Sequence, residues 1–174
     1  AGSPIAGASV GGAGGVVVDP TLNKAFSVNG ANLVVVDLAG PAATSPAGTP
    51  ALTGTALTNI PLGAAGLGVA LDAARHRVYV LTAAGVITVV NGRTNTTILT
   101  RAVPGFVPVA GGATLLHDWS RGTLLLPSLL AGGIFRYDTV SDTVGGFAAE
   151  PTGLGWNGGT AVGSGAGRVY LAYP

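Results

Sequence analysis

Cysteine and methionine are both missing from the 174 residues. The first absence excludes disulfides, cysteine metal sites and thiol catalysis, and it leaves the redox compartment open. Charge is scarce too: Asp, Glu, Lys and Arg supply 9% of the chain, against about a quarter in typical globular domains. The net charge is +1 and no block of Lys or Arg occurs, so the basic footprint of a nucleic-acid binder is lacking. Long apolar runs are missing as well. Leu124-Leu125-Leu126-Pro127-Ser128-Leu129-Leu130 is short and broken by Pro127, far from the ~18 residues of a membrane-spanning helix. The chain begins at Ala1, which reads as removal of an initiator and a signal peptide, or as trimming. Lys24 is the lone lysine beside seven arginines, a usage that goes with GC-rich bacterial genomes.

What is abundant is glycine, 30 of 174 residues, together with valine and threonine. Low charge with this composition points to many short strands joined by tight turns. Disorder would need high net charge and few apolar residues, whereas hydrophobic residues make up 48% here. The length suits one domain with a real core.

The strands come in repeats. Gly68-Val69-Ala70-Leu71-Asp72, Val78-Tyr79-Val80-Leu81-Thr82 and Val86-Ile87-Thr88-Val89-Val90-Asn91 form one unit. Asp19, Asp72, Asp118 and Gly163 mark the same position in successive units, separated by 53, 46 and 45 residues. A period near 45 lies in the range of four-stranded propeller blades. The longer first spacing reflects an insertion, Gly40 to Gly54, rich in Pro, Ala, Thr and Ser, which reads as a surface loop. Pro61 in the first unit's fourth strand fits an outer edge, where no ladder hydrogen bond is lost.

The expected fold is therefore all-β: a single β-propeller domain of about four blades of four antiparallel strands. Its repeats run over 15–62, 68–105, 113–151 and, incompletely, 159–174, with 1–14 as a preceding outer strand. Closed propellers need roughly four to eight blades, so the chain is a small ring or half of a larger one. An open arc would invite association, as a homodimer or with a further propeller fragment.

The pattern resembles the YVTN family of β-propeller repeats, found in surface-layer and periplasmic proteins. The matching residues are Gly68 to Asp72, Val78 to Thr82, Val86 to Asn91 and Thr94-Asn95-Thr96, with Asp19-Pro20 and Ser27-Val28-Asn29 in the first unit. The third and fourth units depart from it: Leu126-Pro127-Ser128 replaces the aromatic-rich strand and Gly163 replaces Asp. The resemblance implies a bacterial periplasmic or secreted location.

Candidate chemistry is sparse. Asp19, Asp72 and Asp118 could ring a cation on the axis, but capping of their own turns explains the recurrence better. His76, in Arg75-His76-Arg77, reads as a solvated hairpin tip. His117, beside Asp118 and Trp119, could be a ligand or general base, and a structural role is the preferred reading. Gly11-Gly12-Ala13-Gly14-Gly15 precedes a strand rather than a helix, so it is not a phosphate loop. No nucleophile elbow, zincin motif or Cys/His cluster is present.

Loops entering first strands and leaving second strands should line one mouth of a propeller channel. The candidate ligand-binding residues there are Asn29, Asn32, Thr82, Phe106, Ser128, Trp156 and Asn157. The sequence favours a non-catalytic binding or scaffold module with a protein or small-molecule ligand at that mouth, and neither a cofactor nor a metal is expected. The alternative is part of a quinoprotein- or lactonase-like propeller enzyme with its chemistry at the same place.

Overall fold

The computed structural model describes residues 15–38, 43–44, 50–51, 55–107, 115–128, 133–149, 160–163 and 168–171. The expected outer strand in 1–14 lies outside them. Sixteen short strands make up the described secondary structure, and no helix is found among these residues.

The first sheet contains β1 (Val16–Asp19), β2 (Lys24–Asn29), β3 (Asn32–Asp37) and β6 (Thr55–Pro61), in that spatial order. Between β3 and β6, β4 (Ala43–Thr44) pairs with β5 (Pro50–Ala51) as a separate small ribbon within the inserted segment. The second sheet is the same meander: β7 (Gly66–Asp72), β8 (Arg77–Thr82), β9 (Val86–Asn91) and β10 (Thr96–Ala102). A third follows with β11 (Leu116–Asp118), β12 (Thr123–Ser128), β13 (Gly133–Asp138) and β14 (Thr143–Ala149). The fourth sheet has two strands, β15 (Thr160–Gly163) and β16 (Arg168–Leu171). All pairings are antiparallel.

Residue chemistry explains the hairpins. A turn residue with positive φ recurs after three of the first strands, at Asn23, His76 and Gly122, and after two of the third strands, at Asn95 and Asp142. Asn, Asp, His and Gly tolerate that left-handed region best. Asn91 and Asp138 hold their turns by accepting two backbone N–H groups each on one side-chain oxygen. The two hydrogen bonds to Asp138, from Ser141 and Val140, hold its carboxyl below the usual aspartate range. Pro127 sits inside β12, where it faces Ile134 of β13 and lies two places beyond Leu125, the last β12 residue in the described ladder to β11.

First strands stand side by side in chain order: β7 lies against β1 and β11, and β11 against β15. Consecutive sheets consequently stack face to face, as blades of a partial β-propeller. Between the first and second sheets, Phe26, Val28, Leu33, Val35 and Ile60 meet Val78, Val80 and Val90. Between the second and third, Tyr79, Leu81, Ile87 and Val89 meet Leu124, Leu126, Phe135 and Tyr137. Tyr79 and Tyr137 pack edge to face with ring centroids 6.1 Å apart, the geometry favoured by the aromatic quadrupole. Alternation along the central strands β2 and β8 sends one set of residues to each face of the sheet.

Gly66 shows how tight the first joint is. A Cβ there would lie 2.5 Å from Val28 Cγ1 and 3.1 Å from Leu62 Cδ1. Overpacking of this kind costs about 1–3 kcal/mol. Gly66→Ala is accordingly expected to lower the urea midpoint without changing the far-UV circular dichroism. An unshifted midpoint would show that Val28 and Leu62 can yield.

Candidate functional site

The hairpins put the two ends of the sheets to different uses. At one end lie the turns between second and third strands, where the candidate mouth residues were expected. Asn29 and Asn32 form the last register pair of β2 and β3. Thr82 is buried and its hydroxyl donates to the Val86 carbonyl at 3.1 Å, closing its own hairpin. Phe106 is buried in the core between the second and third sheets, edge to face with Phe135 at 5.9 Å. Ser128 Oγ donates to the Val107 carbonyl at 3.1 Å and accepts from the Val107 N–H at 3.4 Å. Phe106 and Ser128 thus meet on one segment, the link leaving β10, which they fasten across the third sheet. Thr82 and Ser128 are committed to backbone partners, while Asn29 and Asn32 sit on the first sheet. Trp156 and Asn157 lie outside the described residues.

The opposite end carries the turns after the first strands, and there the polar contacts concentrate. Asp19 is fully buried. One of its oxygens accepts the Thr21 and Leu22 N–H groups and the Thr21 hydroxyl. The other lies 2.6 Å from His76 Nδ1. Burial acts to raise the Asp19 carboxyl, but hydrogen bonds from His76, Thr21 and Leu22 outweigh it and hold the group below its ordinary 3.8. His76 is therefore not a solvated tip. It is buried against the neighbouring sheet, because its Asp19 partner is 57 positions away and only sheet stacking brings them together.

Asp72 accepts the Arg75 N–H at 3.2 Å, and Asp118 accepts the Ser120 hydroxyl at 2.6 Å. Each recurrent aspartate thus serves its own turn. Among the described residues no group of three or more His, Cys, Asp or Glu gathers as a metal site. His117 donates Nδ1–H to the Leu71 carbonyl at 3.0 Å, across the joint between the second and third sheets. A carbonyl can only accept, so Nδ1 carries a proton, while Nε2 is buried and has no hydrogen-bond partner among the described residues.

A basic clamp recurs between sheets. Lys24, opening β2, donates to the carbonyls of Gly92 and Arg93 and to Asn95 Oδ1 at 2.8–3.1 Å. Arg77, opening β8, reaches Asp142 Oδ2 at 2.9 Å. Asn95 and Asp142 are equivalent positive-φ residues in consecutive sheets. Each cation therefore holds the same turn of the next sheet. Tyr137 also donates its hydroxyl to Asp142, at 3.2 Å. Burial first, and then the Asp142 charge, push the Tyr137 phenol far above its normal range.

Beside these clamps a cleft of about 710 Å³ opens between the turns that follow β7 and β11. Leu71 and His117 come from the strand ends, Ala73, Ala74 and Arg75 from one turn, and Trp119 with Arg121 from the other. Val140 completes it from the turn after β13. Trp119 is 79% exposed and Val140 65%. Arg75 is tied to Asp72 and to the Thr139 carbonyl. The Ser120 hydroxyl donates to Asp118 and the His117 Nδ1–H to a backbone carbonyl, so the cleft does not present them as a nucleophile and its base. The cleft offers an indole face, apolar walls and a polar rim. Sequence reading noted Trp119 only as a neighbour of His117. The cleft joins turns some 46 positions apart, between equivalent aspartates Asp72 and Asp118, and no local signal marks it.

No protein-family profile and no curated protein sequence matches the chain. Solved structures do. RRP9 WD40 repeats align at TM-score 0.65 and 12% identity, over 97% of this chain and 53% of that one. BamB from Moraxella catarrhalis aligns at TM-score 0.62 and 21% identity, over 92% and 46%. AztD from Citrobacter koseri in its apo form aligns at 0.57 and 13%, over 78% and 34%. This chain thus spans about a third to a half of the length of these proteins, and at such identities the likeness establishes one thing, a β-propeller fold.

Proposed function

We propose that this propeller is a non-catalytic binding module whose partner docks on the cleft beside Trp119. The observation that supports this reading is the exposed indole, set next to exposed Val140 on the rim of a cleft of about 710 Å³. Tryptophan is enriched among the residues that dominate binding energy, and exposed apolar clusters on otherwise polar turns mark interaction sites. The ligand class is a peptide segment of a protein partner that lays an apolar side chain on the indole and hydrogen-bonds to the polar rim. The channel-mouth residues are less suited, since Thr82 and Ser128 already serve backbone groups and Phe106 is buried. Among the described residues, no feature of that mouth favours an enzymatic role. The YVTN resemblance of the second unit, on a propeller framework, supports a periplasmic or secreted module of that lineage.

Selection of a displayed random peptide library on the folded chain tests this. Recovered peptides should bind Trp119→Ala at least about tenfold more weakly, a loss of ~1.4 kcal/mol. Peptides indifferent to Trp119→Ala and Val140→Asp but lost in Asn29→Ala or Asn32→Ala would move the site to the other end. Failure to enrich any sequence, or measured turnover on sugars, lactones or alcohols, would overturn the reading.

A further inference from the structure

The joint between the first and second sheets and the joint between the second and third share one framework. Asn23, His76 and Gly122 hold the same positive-φ place, four residues after Asp19, Asp72 and Asp118. The His76 carbonyl accepts the Gly92 N–H at 2.7 Å, and the Gly122 carbonyl accepts the Thr139 N–H at 2.8 Å. The Lys24 and Arg77 clamps close the two joints on equivalent turns. Positions in the two joints therefore correspond one to one.

Asp72 lacks partners that Asp19 has. Asp19 takes four donors: the Thr21 N–H, the Thr21 hydroxyl, the Leu22 N–H and, from the next sheet, His76 Nδ1. Ala74 stands in the place of Thr21 and has no hydroxyl. Gly122 stands in the place of His76 and has no side chain. Arg75 stands in the place of Leu22, and its N–H serves Asp72 Oδ1 at 3.2 Å, as that of Leu22 serves Asp19. Its guanidinium, on a side chain 43% exposed, comes no nearer to Asp72 Oδ2 than 3.4 Å. Asp72 is nevertheless buried, at 8% exposure. At the first joint the corresponding oxygen has a donor at 2.6 Å.

A second unmet group marks the same spot. A Cβ built on Gly122 would lie 3.3 Å from the Thr139 hydroxyl oxygen, which is buried and has no hydrogen-bond partner among the described residues. Asp72 and Gly122 both line the cleft beside Trp119. The cleft thus opens where the first joint is filled by an imidazole.

We propose that the ligand supplies the missing donor: the docking peptide sets a basic side chain with its own N–H, an imidazole or a guanidinium, on Asp72 Oδ2, next to the apolar residue that lies on Trp119. This inference rests on the peptide reading of the cleft and adds the class of residue recognised. His76 on Asp19 is the template for the contact. An indole face on the rim suits a cation as well as an apolar group. Arg75 gives up only its 3.4 Å contact and keeps its bond to the Thr139 carbonyl.

Peptides selected on the folded chain should share a His or Arg. Replacing it by Ala should weaken binding about tenfold, the scale of one hydrogen bond to a charged group. Asp72→Asn should cost as much, and the two changes together little more than either. Asparagine can still accept the Arg75 N–H, as Asn91 accepts two in its own turn, so the urea midpoint should hold. If Asp72→Asn does not fold, Ala74→Thr gives Asp72 the hydroxyl that Asp19 has and should weaken the same peptides. Peptides that need Trp119 but carry no basic residue, that bind Asp72→Asn as tightly as wild type, or whose losses simply add would overturn this proposal and leave the cleft reading standing. Peptides that need Asp72 but not Trp119 would do the reverse.

Discussion

Replacing Phe26 by alanine is expected to lower the unfolding free energy by about 3–5 kcal/mol, the usual cost of emptying a buried phenyl site. Phe26 is fully buried between the first and second sheets, within reach of Val78, Val80 and Val90. A Cβ built on Gly92 would lie 3.2 Å from its Cζ, so the ring also closes the turn end of that joint. Strand pairing inside each sheet would survive the change, since Phe26 pairs through backbone with Val17 and Val35. What is lost is adhesion between sheets. A domain of this size is stable by only about 5–15 kcal/mol, so the loss is a large share of the whole. Urea denaturation followed by circular dichroism measures it. A cost below ~1 kcal/mol would mean that the sheets do not depend on this joint, and the stacked arrangement would then be in doubt.

Asp19→Ala should be nearly as damaging, at about 3 kcal/mol, because several buried hydrogen-bonding groups lose their charged acceptor at once. The substitution strands His76 in a buried position and leaves the Thr21 and Leu22 N–H groups without their acceptor. The same carboxylate sets an acid limit. Its folded-state pKa lies below the ordinary 3.8, so the stability it contributes is fully present above that value. It is lost as pH falls from 3.8 through the lower folded-state value. Wild-type protein should therefore show an unfolding free energy that declines over this window. In Asp19→Asn that part of the decline should vanish, while stability at neutral pH falls. An Asn variant with the wild-type acid profile would show that the pair with His76 does not govern the acid response.

The repeat itself is written locally, and it was legible. Asp19, Asp72 and Asp118 recur because each serves the turn that follows it, and that chemistry needs no distant partner. Pro61 marked an outer edge because a proline lacks the N–H that an inner strand must donate, and β6 is the edge of its sheet. The short ribbon of β4 and β5 was not legible, since two-residue strands carry no periodicity. His76 was misread for a related reason. Its local surroundings, two arginines in a turn, are those of a solvated tip, and its buried environment comes from another sheet.

By itself, then, the order of residues determined the strands, their hairpins and the radial grammar of the fold. Alternating apolar positions and turn formers act over a few bonds, and three successive copies state them redundantly. Stacking decided what lies between sheets: the Asp19–His76 contact, the repeated Lys24 and Arg77 clamps and the cleft under Trp119. Those features join residues about 45 to 70 positions apart, and their energies exist only once faces meet at a distance of contact.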